Sequence, residues 1–189
     1  MLSVIVPTHE SERILVRTLA CLVPGATAGL VGDVILADGG STDETAQIGD
    51  VAGCRFLEMP GPLGPRLGAA VDAAKGQWLL FIQAGAVLDS GWVAEVQPFI
   101  ERAPVEMAAI FTPAAPLSAQ GSVLQAILAL LRARRTSLSP GRGLLISKSL
   151  YRALGGYRDC AGTEADLLRR IGKRRLTILR TSIVVPALS

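Results

Sequence analysis

The chain has 189 residues, half of them hydrophobic, and a formal net charge of +3. That length suits one domain with a sizeable core, and so small a positive charge, with no interleaving of aromatic and basic residues, argues against nucleic acid as a partner. Three cysteines (Cys21, Cys54 and Cys160), odd in number and far apart, make no metal pattern and point to a reducing compartment.

Leu2-Ser-Val-Ile-Val-Pro-Thr8 opens the chain as an apolar run and predicts a first strand over 2–7. Met1 leads straight into it without a signal-peptide pattern. No apolar run reaches the roughly 20 residues a bilayer span requires, so the expected location is the cytoplasm. Leu15, Leu19 and Leu22 recur at helical spacing and predict a helix over 11–22. Then comes Val34-Ile-Leu-Ala-Asp-Gly-Gly-Ser-Thr-Asp43, with a strand expected over 33–38 and a helix over 43–51. Asp38 would stand at the strand tip, two glycines would permit a tight turn, and free helix N–H groups would lie beside the carboxylate. A nucleotide suits that arrangement, although an ordinary strand–turn–helix connection with an N-cap favours the same residue types. In open α/β sheets ligands sit at the carboxyl ends of strands, where the strand order reverses. Thr8, Glu10, Asp38 and Ser41 are therefore expected to converge on one crevice.

Further strands are expected near 54–58, 77–82, 107–112, 142–147 and 176–180. Helices are expected near 65–75, 90–102, 119–134, 147–154 and 163–172. Pro60-Gly-Pro-Leu-Gly-Pro65 reads as a rigid, turn-rich loop. Strands that read as near-continuous apolar runs are covered on both faces, which predicts a three-layer α/β/α sandwich around a mainly parallel sheet. In the helix near 119–134, Val123, Ile127, Leu130 and Leu131 form an apolar stripe followed by Arg132, Arg134 and Arg135. This is either a core-facing helix with basic residues at its C-terminal end or a helix lying on an anionic membrane surface.

Four of these elements, in order, resemble the family-2 glycosyltransferases of GT-A, Rossmann-like nucleotide-sugar fold. They are Val4-Ile-Val-Pro-Thr-His-Glu10, Ala37-Asp-Gly-Gly-Ser-Thr-Asp-Glu-Thr45, Gly76-Gln-Trp-Leu-Leu-Phe-Ile82, and Gly155-Gly-Tyr157 followed by Thr163-Glu-Ala-Asp-Leu-Leu-Arg-Arg170. The resemblance is to a small bacterial subgroup without large additional domains. It implies a single domain over 1–189, with a nucleotide-binding half (1–88) and an acceptor-side half (89–189). It also implies transfer of a sugar, with inversion, from a nucleoside-diphosphate sugar to a glycan or lipid-linked acceptor, the latter compatible with peripheral contact at the inner membrane surface. Pro7, Thr8, Glu10, Asp38, Gly40, Ser41, Arg66 and Gln83 would bind the nucleotide. Glu164 matches the acid that deprotonates the acceptor hydroxyl, Asp166 the second acidic position, and Arg170 the family's arginine. Each has a plainer explanation: Arg66 as a solvated helix start, Glu164 and Asp166 as first-turn acids behind an N-cap at Thr163, and the lone His9 as an exposed loop residue.

The chain departs from the family where a metal is expected. Relatives hold Mg²⁺ or Mn²⁺ with carboxylates after the fourth strand. Here Gln83 and Gly85 stand at those positions, and Asp89 would reach the site only if its loop bent back. A divalent cation is therefore disfavoured, and Arg66 and Arg142 become candidates to stabilise a leaving diphosphate. A second reading follows, in which the protein keeps the nucleotide crevice and has lost catalysis.

Overall fold

The computed structural model describes residues 1–114, 142–159 and 163–185. In chain order the elements are β1 (Leu2–Thr8), α1 (Glu12–Thr27), β2 (Val31–Asp38), α2 (Thr45–Val51), β3 (Arg55–Glu58), α3 (Leu63–Ala73) and β4 (Trp78–Phe81). They continue as β5 (Val87–Leu88), α4 (Trp92–Arg102), β6 (Ala108–Pro113), β7 (Leu144–Ser147), α5 (Lys148–Ala153), α6 (Thr163–Ile171) and β8 (Leu176–Val184). The helix expected near 119–134, with its apolar stripe and arginines, lies outside the described residues.

One eight-stranded sheet runs in the order β3-β2-β1-β4-β7-β6-β8-β5. The β3-β2-β1-β4 half is parallel throughout, as is the β6–β8 pair, while β7 runs antiparallel to both β4 and β6. The carboxyl ends of β1, β2, β4 and β6 consequently share one rim, and the amino end of β7 joins them there. Chain order reverses beside β1, which is flanked by β2 and β4 and places the switch point of the sheet at Thr8.

Alternation along the strands divides the apolar residues between two cores. Leu2, Val4 and Val6 of β1 face α1 and α4 with Leu15, Leu22, Trp92 and Val96. Ile5 faces the opposite way, toward Leu67, Ala70 and Val71 of α3 and Leu167, Leu168 and Ile171 of α6. The sheet is thus covered on both faces, which is why β1 and β4 read as unbroken apolar runs. Burial of a large apolar side chain stabilises by roughly 2–3 kcal/mol, and it is this covering of both faces that selects a three-layer sandwich.

Several boundaries shift from expectation by a residue or two and β5 was not expected; three differences have a clear physical reason. Helix α1 runs five residues past Leu22, straight through Pro24 and Gly25. Tertiary packing overrides the local breakers: a Cβ at Gly25 would lie 2.4 Å from the Trp92 ring, so glycine lets the helix press against that indole. Trp92 Nε1 also donates to the Cys21 carbonyl at 3.0 Å. Strand β8 extends to Val184 because it is paired by β6 on one side and by the two-residue β5 on the other. Strand β7 starts at Leu144 rather than 142, since Gly143 turns the chain with φ 66°. Among the described residues, no helix is long and apolar enough to cross a membrane.

Candidate functional site at the strand tips

The register of β1 against β2 pairs Thr8 with Asp38 at the two strand ends. Both side chains are buried, and Thr8 Oγ1 donates to Asp38 Oδ1 at 2.8 Å. Ser41 Oγ donates to the same oxygen at 2.6 Å. The backbone N–H groups of Gly40 and Ser41 donate to Oδ2 at 2.8 and 2.6 Å. Burial raises the Asp38 pKa, but the bonds from Ser41, Thr8 and Gly40 outweigh it and hold the carboxyl below its ordinary value. Each oxygen accepts two hydrogen bonds, which is close to the capacity of a carboxylate. Asp38 is spent on shaping the turn.

The loop after β1 is tied to the loop after β2 in the same manner. Among the described residues, Glu10, with φ 48°, is the non-glycine residue in the left-handed region. Such a conformation costs about 1–2 kcal/mol and persists where surrounding contacts impose it. Here Glu10 N–H donates to Ser41 Oγ at 2.9 Å, while Glu10 Oε1 accepts from Thr42 N–H at 2.7 Å. Asp43 accepts from the first amides of two helices, Glu12 N–H of α1 and Thr45 N–H of α2, both at 3.0 Å. Burial raises the Asp43 pKa, but bonds from Thr45 and Glu12 prevail and lower it. Glu44 N–H reaches Glu12 Oε2 at 3.3 Å.

This corrects the expectation of free helix amides beside Asp38. The N–H groups of Gly40, Ser41, Thr42, Glu44 and Thr45 all donate to carboxylates of the chain itself. Apart from Asp38 and Asp43, those partners, Glu10 and Glu12, lie 32 residues away, in the loop after β1 and at the start of α1. The local pattern Ser41-Thr-Asp43 gives the cap at α2, but not its second bond to α1.

Arg66 sits in the first turn of α3, after a run in which Pro65 lacks an N–H the helix does not need there. Its guanidinium folds back over the β2 turn instead of pointing into solvent. A Cβ at position 39 would stand 1.9 Å from Arg66 Nη1 and 3.5 Å from His9 Nδ1. Glycine at 39 therefore opens the space the arginine occupies. Arg66 Nε is buried with no hydrogen-bond partner. Pro7 is half-buried at the end of β1 and contributes to the wall.

Beyond β4, Gln83 is half-buried and its carbonyl accepts from Ala86 N–H at 3.1 Å, forming a turn that Gly85 completes with φ 85°. Asp89 does not bend back to it. Its carboxylate faces Ser90 and Gly91 at the start of α4 and Ser182 of β8. Among the described residues no group of three His, Cys, Asp or Glu side chains could hold a metal ion. The donor set at Gln83 and Gly85 offers one neutral carbonyl, which does not fit a hard divalent cation.

On the other side of the rim, Phe81 of β4 packs edge-on against Tyr157, with ring centroids 5.1 Å apart. Tyr157 is half-buried, and its pKa lies well above the usual value, raised first by burial and then by the Glu164 charge. Glu164 in the first turn of α6 thus lies within electrostatic reach of Tyr157. Asp166 serves a different purpose: it pairs with Arg170 Nε at 2.9 Å. Arg170 in turn donates to the carbonyls of Leu154 and Gly156, so the pair pins the Gly155-Gly156 loop. Gly64 at the start of α3 abuts that segment, where an added Cβ would be 3.0 Å from the Tyr157 carbonyl. The sequence places Tyr157 in the Gly155-Gly-Tyr157 element but gives it no role of its own.

Two concavities lie elsewhere. A groove of about 530 Å³ runs between α4 and β8 along Asp89, Glu95 and Arg180. Glu95 is already occupied there by the N–H groups of Arg180 and Thr181, so the groove is not taken as the site despite its size. A cavity of about 420 Å³ adjoins the start of α3, lined by Gly64, Gly68, Tyr151 and Tyr157.

A three-layer α/β domain whose polar tips gather at the switch point, with an arginine laid over a glycine turn, is a GT-A, Rossmann-like nucleotide-sugar transferase fold. The sequence pattern of glycosyl transferase family 2 matches residues 3–144, three quarters of the chain, and the protein belongs to that family, whose work is sugar transfer. Glu164 and Asp166 lie beyond the matched span. No curated protein matches the sequence. Among solved structures, glucosyl-3-phosphoglycerate synthase from Mycobacterium tuberculosis, in complex with Mn²⁺, UDP and glucosyl-3-phosphoglycerate, is similar at a TM-score of 0.68 and 20% identity, covering 95% of this chain and 69% of that one. S. aureus TarS 1-349 is similar at a TM-score of 0.71 and 20% identity, covering 97% of this chain and 59% of that one. The same TarS fragment with UDP-GlcNAc gives 0.67 and 21%, covering all of this chain and 59% of that one. This chain therefore spans about three fifths of the TarS fragment.

Proposed function

We propose that the protein transfers a sugar from a nucleoside-diphosphate sugar to a hydroxyl of a glycan or lipid-linked acceptor. One observation carries the reading: in a family-2 chain, the Arg66 guanidinium lies over Gly39 at the paired tips of β1 and β2, with a buried donor unspent. Thr8, Asp38, Gly40, Ser41 and Glu10 build the wall that fixes this geometry, and Pro7, Arg66 and Gln83 face the donor. The related structures that contain UDP, or UDP-GlcNAc, support a donor of this class.

In the reaction, the acceptor oxygen forms a bond to the anomeric carbon on the face opposite the leaving group. The bond from that carbon to the diphosphate oxygen breaks, and its electron pair leaves with the nucleoside diphosphate. The acceptor proton passes to Glu164, which matches the family's acidic position, while Asp166 is paired with Arg170. Asp166 acts by positioning the Gly155-Gly156 loop. A single base without a nucleophile partner fits inversion.

Turnover with a panel of nucleotide sugars tests the proposal; release of nucleoside diphosphate that requires a hydroxyl acceptor is expected. The absence of a carboxylate at Gln83 and Gly85 favours one competing reading, a protein that binds the nucleotide without turnover. Tight binding with no product for any donor would select it.

A further inference from the structure

We infer that Arg142 is the cation of the diphosphate subsite, standing where the fold family would place a divalent metal, so that donor binding is independent of metal. The inference rests on the donor reading above.

The last ladder pair of β4 and β7 joins Phe81 to Leu144. Gln83 follows Phe81 by two residues, and Arg142 precedes Leu144 by two, across the turn at Gly143. Gly143 packs against the residue before Gln83, since an added Cβ would lie 3.3 Å from the Ile82 side chain. Arg142 thus stands beside the position where relatives would carry a carboxylate, on the rim that also holds Thr8 and Asp38.

Arg142 is only 5% exposed. Its Nε donates to the Phe111 carbonyl at 3.0 Å, while Nη1 is buried and has no partner. Among the described residues no carboxylate pairs with it. Residues 115–141, which precede it, contain no Asp or Glu. A buried cation without a counter-anion is strongly unfavourable, and each such group calls for an explanation. A diphosphate would supply the missing charge, and the guanidinium would supply it with fixed, forked donors.

The rest of the rim leaves this role open. Helix amides that could cradle phosphate are taken by Asp38, Glu10, Glu12 and Asp43. Gln83 and Gly85 do not make a metal site. Arg66 approaches from the β2 side and Arg142 from the β7 side, so the two arginines would grip the diphosphate from opposite flanks.

The test is calorimetric titration of the full chain with UDP and GDP, each against its own nucleoside, in excess EDTA and again with Mn²⁺. The expected result is an unchanged Kd for the diphosphate in EDTA. Arg142→Gln should weaken diphosphate binding roughly ten- to hundredfold, as for a lost charged hydrogen bond, and leave nucleoside binding unaltered. Arg142→Lys should recover part of the loss. A strong loss of affinity on chelation would overturn the inference, as would equal losses for nucleoside and diphosphate. If Arg142→Gln melts before it can be titrated, the chelation experiment on the unaltered protein and the lysine variant decide. Metal-dependent binding would sink this inference alone, whereas failure to bind any nucleotide or nucleoside would remove the proposed function with it.

Discussion

Replacing Asp38 tests how the crevice is built. Its carboxylate accepts from Thr8 Oγ1, Ser41 Oγ and the amides of Gly40 and Ser41. In Asp38→Ala the buried Thr8 hydroxyl loses its acceptor, and the two half-buried amides turn to water. At about 1–2 kcal/mol for the hydroxyl and about 1 kcal/mol for the amides together, the expected loss is about 2–3 kcal/mol. Asp38→Asn preserves the shape and lets the hydroxyls reorient, so about 1–2 kcal/mol is expected. Urea unfolding followed by circular dichroism at pH 7 reads both values. The acid limb gives a second readout. Because hydrogen bonds lower the folded pKa of Asp38, its charge stabilises the protein above the unfolded value of about 3.9. That contribution fades as the pH falls below this value and through the folded pKa. The gap between wild type and Asp38→Asn should therefore narrow below about pH 4. Asp38→Ala within about 0.5 kcal/mol of wild type, the range of an ordinary surface change, would refute the reasoning. So would a gap to Asp38→Asn that ignores pH.

Gly39→Ala should displace only the end of the Arg66 side chain, leaving stability near wild type while weakening nucleoside diphosphate binding roughly tenfold or more. Paired with Arg66→Gln it should be non-additive, because both remove one contact; additive losses in a binding cycle would count against that contact. Glu164→Gln should abolish turnover while nucleoside diphosphate binding persists, whereas Asp166→Asn should lower stability by about 2 kcal/mol through the freed Arg170. Full turnover by Glu164→Gln, or an Asp166→Asn variant as stable as wild type, would deny them these roles. The Cys54 thiol, pushed up to about 11 by burial, should resist thiol reagents at pH 8 until the protein unfolds. Mass spectrometry that finds it labelled in the native state would contradict its packing.

Much of the first half of the chain was legible because its signals are local. Apolar runs end at Thr8 and Asp38, and the parallel register then brings those two ends together. What was not legible depends on residues far apart in the chain. Glu10 and Glu12 occupy amides on the following strand–helix connection, which no spacing within that connection reveals. Pro24 and Gly25 read as a helix end, yet Trp92, which lies far along the chain, decides the matter. Asp166 and Glu164 look alike as first-turn acids and part company only through the turn of Arg170 toward Leu154 and Gly156. Arg142 was a candidate by charge alone; its bond to the Phe111 carbonyl and the turn at Gly143 give it a place.

The most direct measurement is a titration of isotopically labelled protein with UDP or GDP, followed through backbone amide resonances. Shifts concentrated at residues 8–10, 38–42 and 66–68 are expected, with saturation at one equivalent. Shifts confined to Glu95, Arg180 and their neighbours, or no shifts at all, would mean that the tips of β1 and β2 do not receive the nucleotide.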